Sequence, residues 1–163
     1  MAEIATRPQN GIAKLAAAED FVRFFADGWA KEKPDGTIGA FKPRMHPQVR
    51  LIQPTIPPIH GPDEFERRFR ELFALFLDYR VTVDDWAARS DAVFIWITHS
   101  ATIAGRRRSW QGCDRIVLED GLIRERVAVL DSAETLPAAL LSPRTWPQLA
   151  RWTVAGLLAR RGT

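Results

Sequence analysis

Apolar positions follow two different periods in the two halves of the chain. Over residues 12–31, Leu15, Phe21, Val22, Phe24, Phe25 and Trp29 form a broad stripe, the pattern of a helix with one buried face. Lys33-Pro34-Asp35-Gly36 ends it. Phe65, Phe69, Leu72, Phe73 and Phe76 again recur at helical spacing. They predict a second long helix over residues 63–77, with Asp63 capping or opening it. Between the two, residues 37–45 hold a short helical turn and residues 49–53 a short strand. Four prolines (Pro54, Pro57, Pro58, Pro62) predict an ordered loop or extended lip over residues 54–62.

From Tyr79 onward the period drops to two. Val81 and Val83 alternate with Arg80, Thr82 and Asp84, and Ser90-Asp91 marks a turn. In the next strand Val93, Ile95, Ile97, His99 and Ala101 share one face, and Phe94, Trp96, Thr98 and Ser100 the other. Both faces are apolar or β-branched enough to predict cover on both. Gly105 punctuates the turn to Arg106-Arg107-Arg108, after which Trp110, Gly112, Asp114 and Ile116 share a face. Glu119-Asp120-Gly121 signals a tight hairpin into a last strand over residues 122–130. Strands in direct succession favour an antiparallel sheet, so the fold class is α+β, with helices packed on one face of a curved sheet.

Length and composition narrow the class. The chain has 163 residues, which sets one domain as the expectation. Four lysines (Lys14, Lys31, Lys33, Lys42) leave the positive charge almost entirely to arginine, and the net charge of +3 is modest. Cys113 is the only cysteine, which rules out an intrachain disulfide and a multi-cysteine zinc site. There is no metal-ligand spacing and no glycine-rich phosphate loop. Arg106-Arg107-Arg108 is too short and lacks interleaved aromatics, so a solvated turn is expected and a nucleic-acid partner is not. No long apolar run predicts a spanning helix, and Glu3, Lys14, Glu19 and Asp20 interrupt any leader-like region. A cytoplasmic location is the expectation.

Three segments resemble the nuclear-transport-factor-2-like (NTF2-like) superfamily, the cone-shaped α+β fold of ketosteroid isomerases and SnoaL-type polyketide cyclases. Pro57-Pro58-Ile59-His60-Gly61 before a helix resembles the loop preceding the long helix of ketosteroid isomerases. Gly105-Arg106 with Asp114 eight residues on resembles their hairpin ending on a pocket aspartate. Asp120-Gly121-Leu122-Ile123 with Asp131 resembles the closing strand of SnoaL-like domains. The resemblance implies a cone domain over residues 12–131, with 132–163 as a helical extension. It also implies that Asp114 stands where ketosteroid isomerases keep a protonated acid for the substrate oxyanion. The phenol partner of that acid falls at Phe24, which cannot donate. The catalytic base falls at Gln53 (or Ile52), which cannot take a proton. The Arg-x-Asp of limonene-epoxide-hydrolase relatives reads Thr98-His99-Ser100. Steroid isomerisation and epoxide hydrolysis are therefore not expected.

What remains is His99 with Asp114. A hairpin whose opposed residues sum to about 211 sets His99 across from Gly112 and diagonal to Asp114, within side-chain reach. A carboxylate holding an imidazole is a general-base arrangement; the alternative is a satisfied core histidine with a structural partner. Trp110, Ile95 and Ile97 are expected to wall the cavity, and the resemblance implies that Gln53 and Phe24 also contact the ligand. Arg126 sits at pocket parity, where it binds an anionic ligand, pairs with Asp114 or stays solvated. Asp131 is a strand-end cap or a pocket carboxylate, His60 a loop-structuring residue, and Cys113 a buried thiol of opposite parity.

Two functional classes follow. One is a cofactor-free isomerase, cyclase or dehydratase acting on a small hydrophobic molecule, with His99 as base and Asp114 as orienter or donor. The other is a non-catalytic ligand-binding or dimerisation module. Phe94 and Trp96 on the outer sheet face predict a homodimer. In the extension, Trp146, Leu149 and Trp152 beside Arg144 and Arg151 make a basic amphipathic segment, for which packing against the cone or a partner subunit is expected rather than membrane association.

Overall fold

The computed structural model describes residues 11–53, 56–89, 91–103 and 105–131, with side chains from residue 15 onward. The amphipathic extension of residues 132–163 lies outside the described residues. Helix α1 (Gly11–Trp29) is followed by α2 (Pro34–Phe41), a 3-10 turn (Lys42–Arg44), strands β1 (Met45–Gln53) and β2 (Ile56–His60), and helix α3 (Gly61–Leu75). Strands β3 (Arg80–Arg89), β4 (Ala92–Ile103), β5 (Arg106–Glu119) and β6 (Leu122–Leu130) complete the order. They form a six-stranded sheet in the order β2-β1-β6-β5-β4-β3. Only β1 and β6 run parallel, because the chain crosses the whole sheet between β2 and β3 and returns through three hairpins.

The helices cover one face. Ala18, Phe21, Val22, Phe25 and Trp29 of α1 are buried, as are Phe65, Phe69 and Phe73 of α3. Removing each large side chain from water contributes about 1.5–3 kcal/mol, which outweighs modest helix propensity. Irregular register within β1/β2, β1/β6, β3/β4 and β5/β6 bends the sheet around this apolar centre. Asp120 and Gly121 both have positive φ, at 51° and 77°, the geometry of a two-residue hairpin whose twist matches its strands.

Three details differ from expectation. The proline-rich segment is not a lip: residues 56–60 pair with β1 as an edge strand, with Ile56 and Ile59 buried. Pro57 and Pro58 are tolerated because an edge strand has one side free of ladder bonds. Of the two roles expected of Asp63, capping is not found but opening is, since it lies in the first turn of α3; His60 occupies the cap position, and its backbone N–H donates to Glu64 Oε2 at 2.9 Å. The outer sheet face, expected to be covered, leaves Trp96 45% and Val129 64% exposed. Cys113 lies between them in register and is half-buried rather than enclosed.

Gly112 marks where β5 comes closest to its surroundings. A Cβ there would lie 2.8 Å from Leu130 Cδ2, 3.0 Å from His99 Nε2 and 3.1 Å from the Val129 carbonyl oxygen. The carbonyl belongs to the paired strand and cannot swing away. Gly112→Ala is expected to lower stability by about 1–3 kcal/mol. Urea unfolding at neutral pH measures it, and an unchanged midpoint would contradict this packing.

Candidate functional site

Two buried polar groupings stand on the covered face of the sheet. The first joins β5 to β6. Their ladder opposes Ile116 to Arg126 and Asp114 to Ala128, which makes Asp114 and Arg126 diagonal neighbours. Arg126 Nε donates to Asp114 Oδ2 at 2.7 Å and Nη2 to Oδ1 at 2.9 Å. Asp114 is fully buried and the Arg126 side chain is 12% exposed. Burial works against the guanidinium charge, but the Asp114 carboxylate outweighs it and holds the Arg126 pKa above its ordinary value. The planar fork presents two parallel donors to the two carboxylate oxygens, the strongest ion-pair geometry available to side chains.

The second grouping centres on His99. Its Nδ1 lies 2.6 Å from the hydroxyl of Tyr79, the only tyrosine in the chain. Its ring stacks on Trp110 with centroids 5.6 Å apart and 14° between planes, and on Tyr79 at 5.9 Å. Nε2 is buried with no hydrogen-bond partner among the described residues. Burial, reinforced by the Arg126 charge, pushes the His99 pKa down to about 3. Burial likewise raises the Tyr79 hydroxyl above its ordinary value.

The expected His99–Asp114 pair is therefore not formed. The β4–β5 turn closes on Ile103 and Arg106, so opposed residues sum to 209 and not 211 (103 + 106). His99 opposes Trp110, Ile97 opposes Gly112 and Ile95 opposes Asp114. A slip of two residues keeps every side chain on its face, so both groups point to the same side of the sheet. It also sets them four residues apart along the strand, roughly 13 Å at strand rise. The diagonal geometry foreseen for His99 is realised by Arg126.

The helices and sheet enclose a small apolar cavity on this face. Its lining comes from α1 (Phe25, Trp29), α2 (Phe41), β1 (Met45, Leu51), α3 (Phe65, Phe69), β5 (Ile116) and β6 (Ile123, Arg126). About 330 Å3 within this lining, mouth included, is free of atoms, but only about 20 Å3 admits the centre of a water-sized sphere. The smaller figure decides what fits without movement, which is a water or two. Among the described residues Arg126 is the one charged residue in the lining, and its carboxylate partner Asp114 is not part of that lining.

Most residues expected at the cavity lie elsewhere. His99 and Asp114 are buried and Trp110 half-buried, and none of the three lines it, while Ile95 and Ile97 are fully enclosed core. Gln53 ends β1, past Leu51, which does reach the space. Phe24 turns to Phe41 and lies under the Arg44 guanidinium, 4.8 Å from its ring centroid, whereas its neighbour Phe25 faces the cavity. One residue on a helix is a rotation of about 100°, and carrying a position across from a relative easily misses by that much. Asp131 and His60 are exposed. The signals for what was missed are modest. Tyr79 shares the parity of Val81, which opposes His99; Met45 and Leu51 share strand parity with Val49. Among the described residues no cluster of three or more His, Cys, Asp or Glu side chains is placed to hold a metal ion. No helix there is long and apolar enough to cross a membrane.

Helices folded over one face of a strongly bent sheet, with an enclosed apolar space between, define an NTF2-like cone. Solved structures share it at low sequence identity. A protein assigned as a SnoaL-like polyketide cyclase from Jannaschia sp. CCS1 matches with TM-score 0.65 and 20% identity, over 75% of this chain and 90% of that one. An NTF2-like protein of unknown function from Burkholderia pseudomallei K96243 matches with TM-score 0.65 and 17% identity, over 75% and 96%. TerC, co-crystallised with polyporic acid, matches with TM-score 0.64 and 13% identity, over 75% and 97%. The SnoaL-like domain model matches residues 21–126, and the chain belongs to that family. No curated protein matches it.

The depressed His99 pKa has a consequence for stability. Between about pH 3 and 6.5 the unfolded chain binds a proton at this position that the folded chain refuses. The contribution is complete above pH 6.5 and is lost as pH falls below it, at up to ~1.4 kcal/mol per pH unit. His99→Gln keeps a partner for Tyr79 and removes the titration. From pH 7 to 5 the wild type is expected to lose about 1–2 kcal/mol more than this variant, by urea unfolding. Equal losses would show that His99 is not held neutral.

Proposed function

We propose that this protein binds a small hydrophobic molecule in the cavity between helices and sheet. The observation that carries the reading is an aromatic and aliphatic lining interrupted by one charged side chain, Arg126. Apolar cavities of this kind stay dry and accept small apolar guests, and a single polar group sets orientation. The fold supports it too, since TerC, of the same fold, was crystallised with polyporic acid. Guests larger than the open space enter as side chains or α2 give way.

A cofactor-free isomerase, cyclase or dehydratase is the second reading. Arg126 favours it, because a guanidinium fixed in an apolar site is suited to a developing oxyanion. Such a reaction also needs a proton acceptor at the substrate. Among the described residues the lining has no histidine, tyrosine or carboxylate, and His99 is too weak a base near neutral pH. This balance puts ligand binding first.

Saturation-transfer NMR with toluene tests the cavity. Toluene is expected to bind the wild type and to bind Met45→Phe at least tenfold more weakly, because the larger ring fills the space. Binding that ignores Met45→Phe, or no binding at all, would overturn the reading.

Assembly is a separate part of the proposal. Trp96, Cys113 and Val129 lie in one row across β4, β5 and β6 on the uncovered face, with Phe94 one pleat away. An apolar row of this kind fits a second copy of the chain. Light scattering at micromolar concentration is expected to give a dimer mass for the wild type and a monomer mass for Trp96→Lys. A monomeric wild type would contradict it.

A further inference from the structure

Asp85, Trp96, Cys113 and Val129 oppose one another in register, so a single row crosses the uncovered sheet face from β3 to β6. The row begins in negative charge. Asp84 and Asp85 are exposed at its β3 end, where Asp84 accepts from the Thr98 hydroxyl at 2.6 Å and Asp85 from the Trp86 backbone N–H at 2.8 Å. Neither carboxylate is paired with a cation among the described residues. Of the arginines on this face, Arg115 is engaged by Glu125 and Arg107 by Asp78, and Arg89 opposes Ala92 at the far end of β3. At its other end the row meets the exit of the chain. Asp131, two residues past Val129, donates its N–H to the Gln111 carbonyl oxygen at 2.9 Å, so residues 132–163 depart from beside β5.

Those 32 residues carry four arginines and one carboxylate, Glu134. Trp146, Leu149, Thr153 and Leu157 fall on one side at helical spacing, Arg160 and Arg161 follow on that side, and Arg144 and Arg151 fall opposite. A stable interface takes about 20–30 residues a side. Phe94, Trp96, Cys113 and Val129 are far fewer, so a second copy held by this face must bring more than its own row.

We propose that in the dimer each copy lays residues 146–161 along the β3–β4 side of the partner's uncovered face. Trp146, Leu149 and Leu157 cover Trp96 and Phe94, and Arg160 and Arg161 meet Asp84 and Asp85. This clasp rests on the assembly reading above and specifies its contact. A two-fold dimer through the row sets each Val129, and with it the exit of the last segment, against the partner. At helical rise residues 146–161 span about 24 Å, enough to cross four strands, which take about 14 Å. Exposed ion pairs add little attraction; the aromatic contact supplies most of it, and the carboxylates fix which way the segment lies.

Mixing two forms of the full chain tests the clasp. One is 15N-labelled wild type; the other is unlabelled Cys113→Ser/Thr163→Cys with a nitroxide on residue 163. The nitroxide is expected to broaden the Trp96 indole N–H resonance of the 15N-labelled copy, assigned by its absence in Trp96→Phe. By light scattering, Leu149→Glu is expected to weaken the dimer at least tenfold. Asp84→Lys/Asp85→Lys weakens it several-fold, and adding Arg160→Glu/Arg161→Glu restores it. If the lysine variant fails to fold, Asp84→Asn/Asp85→Asn keeps both hydrogen-bond acceptors and is expected to weaken the dimer in the same direction. A dimer that Leu149→Glu leaves unchanged, or a Trp96 signal broadened only when nitroxide and 15N share one chain, overturns this inference and leaves the dimer standing. A monomeric wild type overturns both.

Discussion

The buried pair of Asp114 and Arg126 is the constraint around which the cone is arranged. A carboxylate with no exposure requires an opposite charge, and β6 supplies it from a diagonal position on the adjacent strand. Such a pair is weak evidence for net stability, because desolvating both ions offsets most of their attraction. Its cost falls on any structure that separates them, which makes the β5–β6 register hard to change. The same pair fixes a guanidinium at the edge of an otherwise apolar cavity. A free arginine at that position would fold away to water; two hydrogen bonds to Asp114 clamp this one in place.

His99 belongs to a different part of the same face. Tyr79 occupies one ring nitrogen, Trp110 and Tyr79 stack on its faces, and Gly112 leaves room at Nε2. Around it Tyr79 also meets Trp29, Phe73 and Phe76. This is an aromatic cluster with one neutral imidazole inside it. Trp29 is the link between the two regions, with one contact in the cluster and another at the cavity wall.

Much of the fold was legible because period-2 and period-3.6 patterns report directly which face of an element is buried. Parity alone placed His99 and Asp114 on one shared face, and the Asp120-Gly121 turn set the last hairpin. Register was less legible: a two-residue slip at Gly105 leaves every face assignment intact while it separates His99 from Asp114. The edge strand at Pro57 and Pro58 was hidden because proline is excluded from strand interiors but not from edges. Cavity residues were the least legible. Phe25 and Phe24 are equally apolar, and only the packing of α1 against Phe41 decides which of them faces inward. Arg126 was a candidate on parity, and its pairing with Asp114 depended on a β5–β6 register that local sequence does not specify.

Asp114 and Arg126 act as one unit, and a double-mutant cycle measures that directly. Asp114→Leu and Arg126→Met each leave a lone buried charge and are expected to cost about 3–5 kcal/mol in urea unfolding at neutral pH. The double variant removes both charges and is expected to cost far less than the sum of the two. Additivity of the single losses to within about 0.5 kcal/mol would mean that the two side chains do not depend on each other, and the account of the cavity built on them would fail.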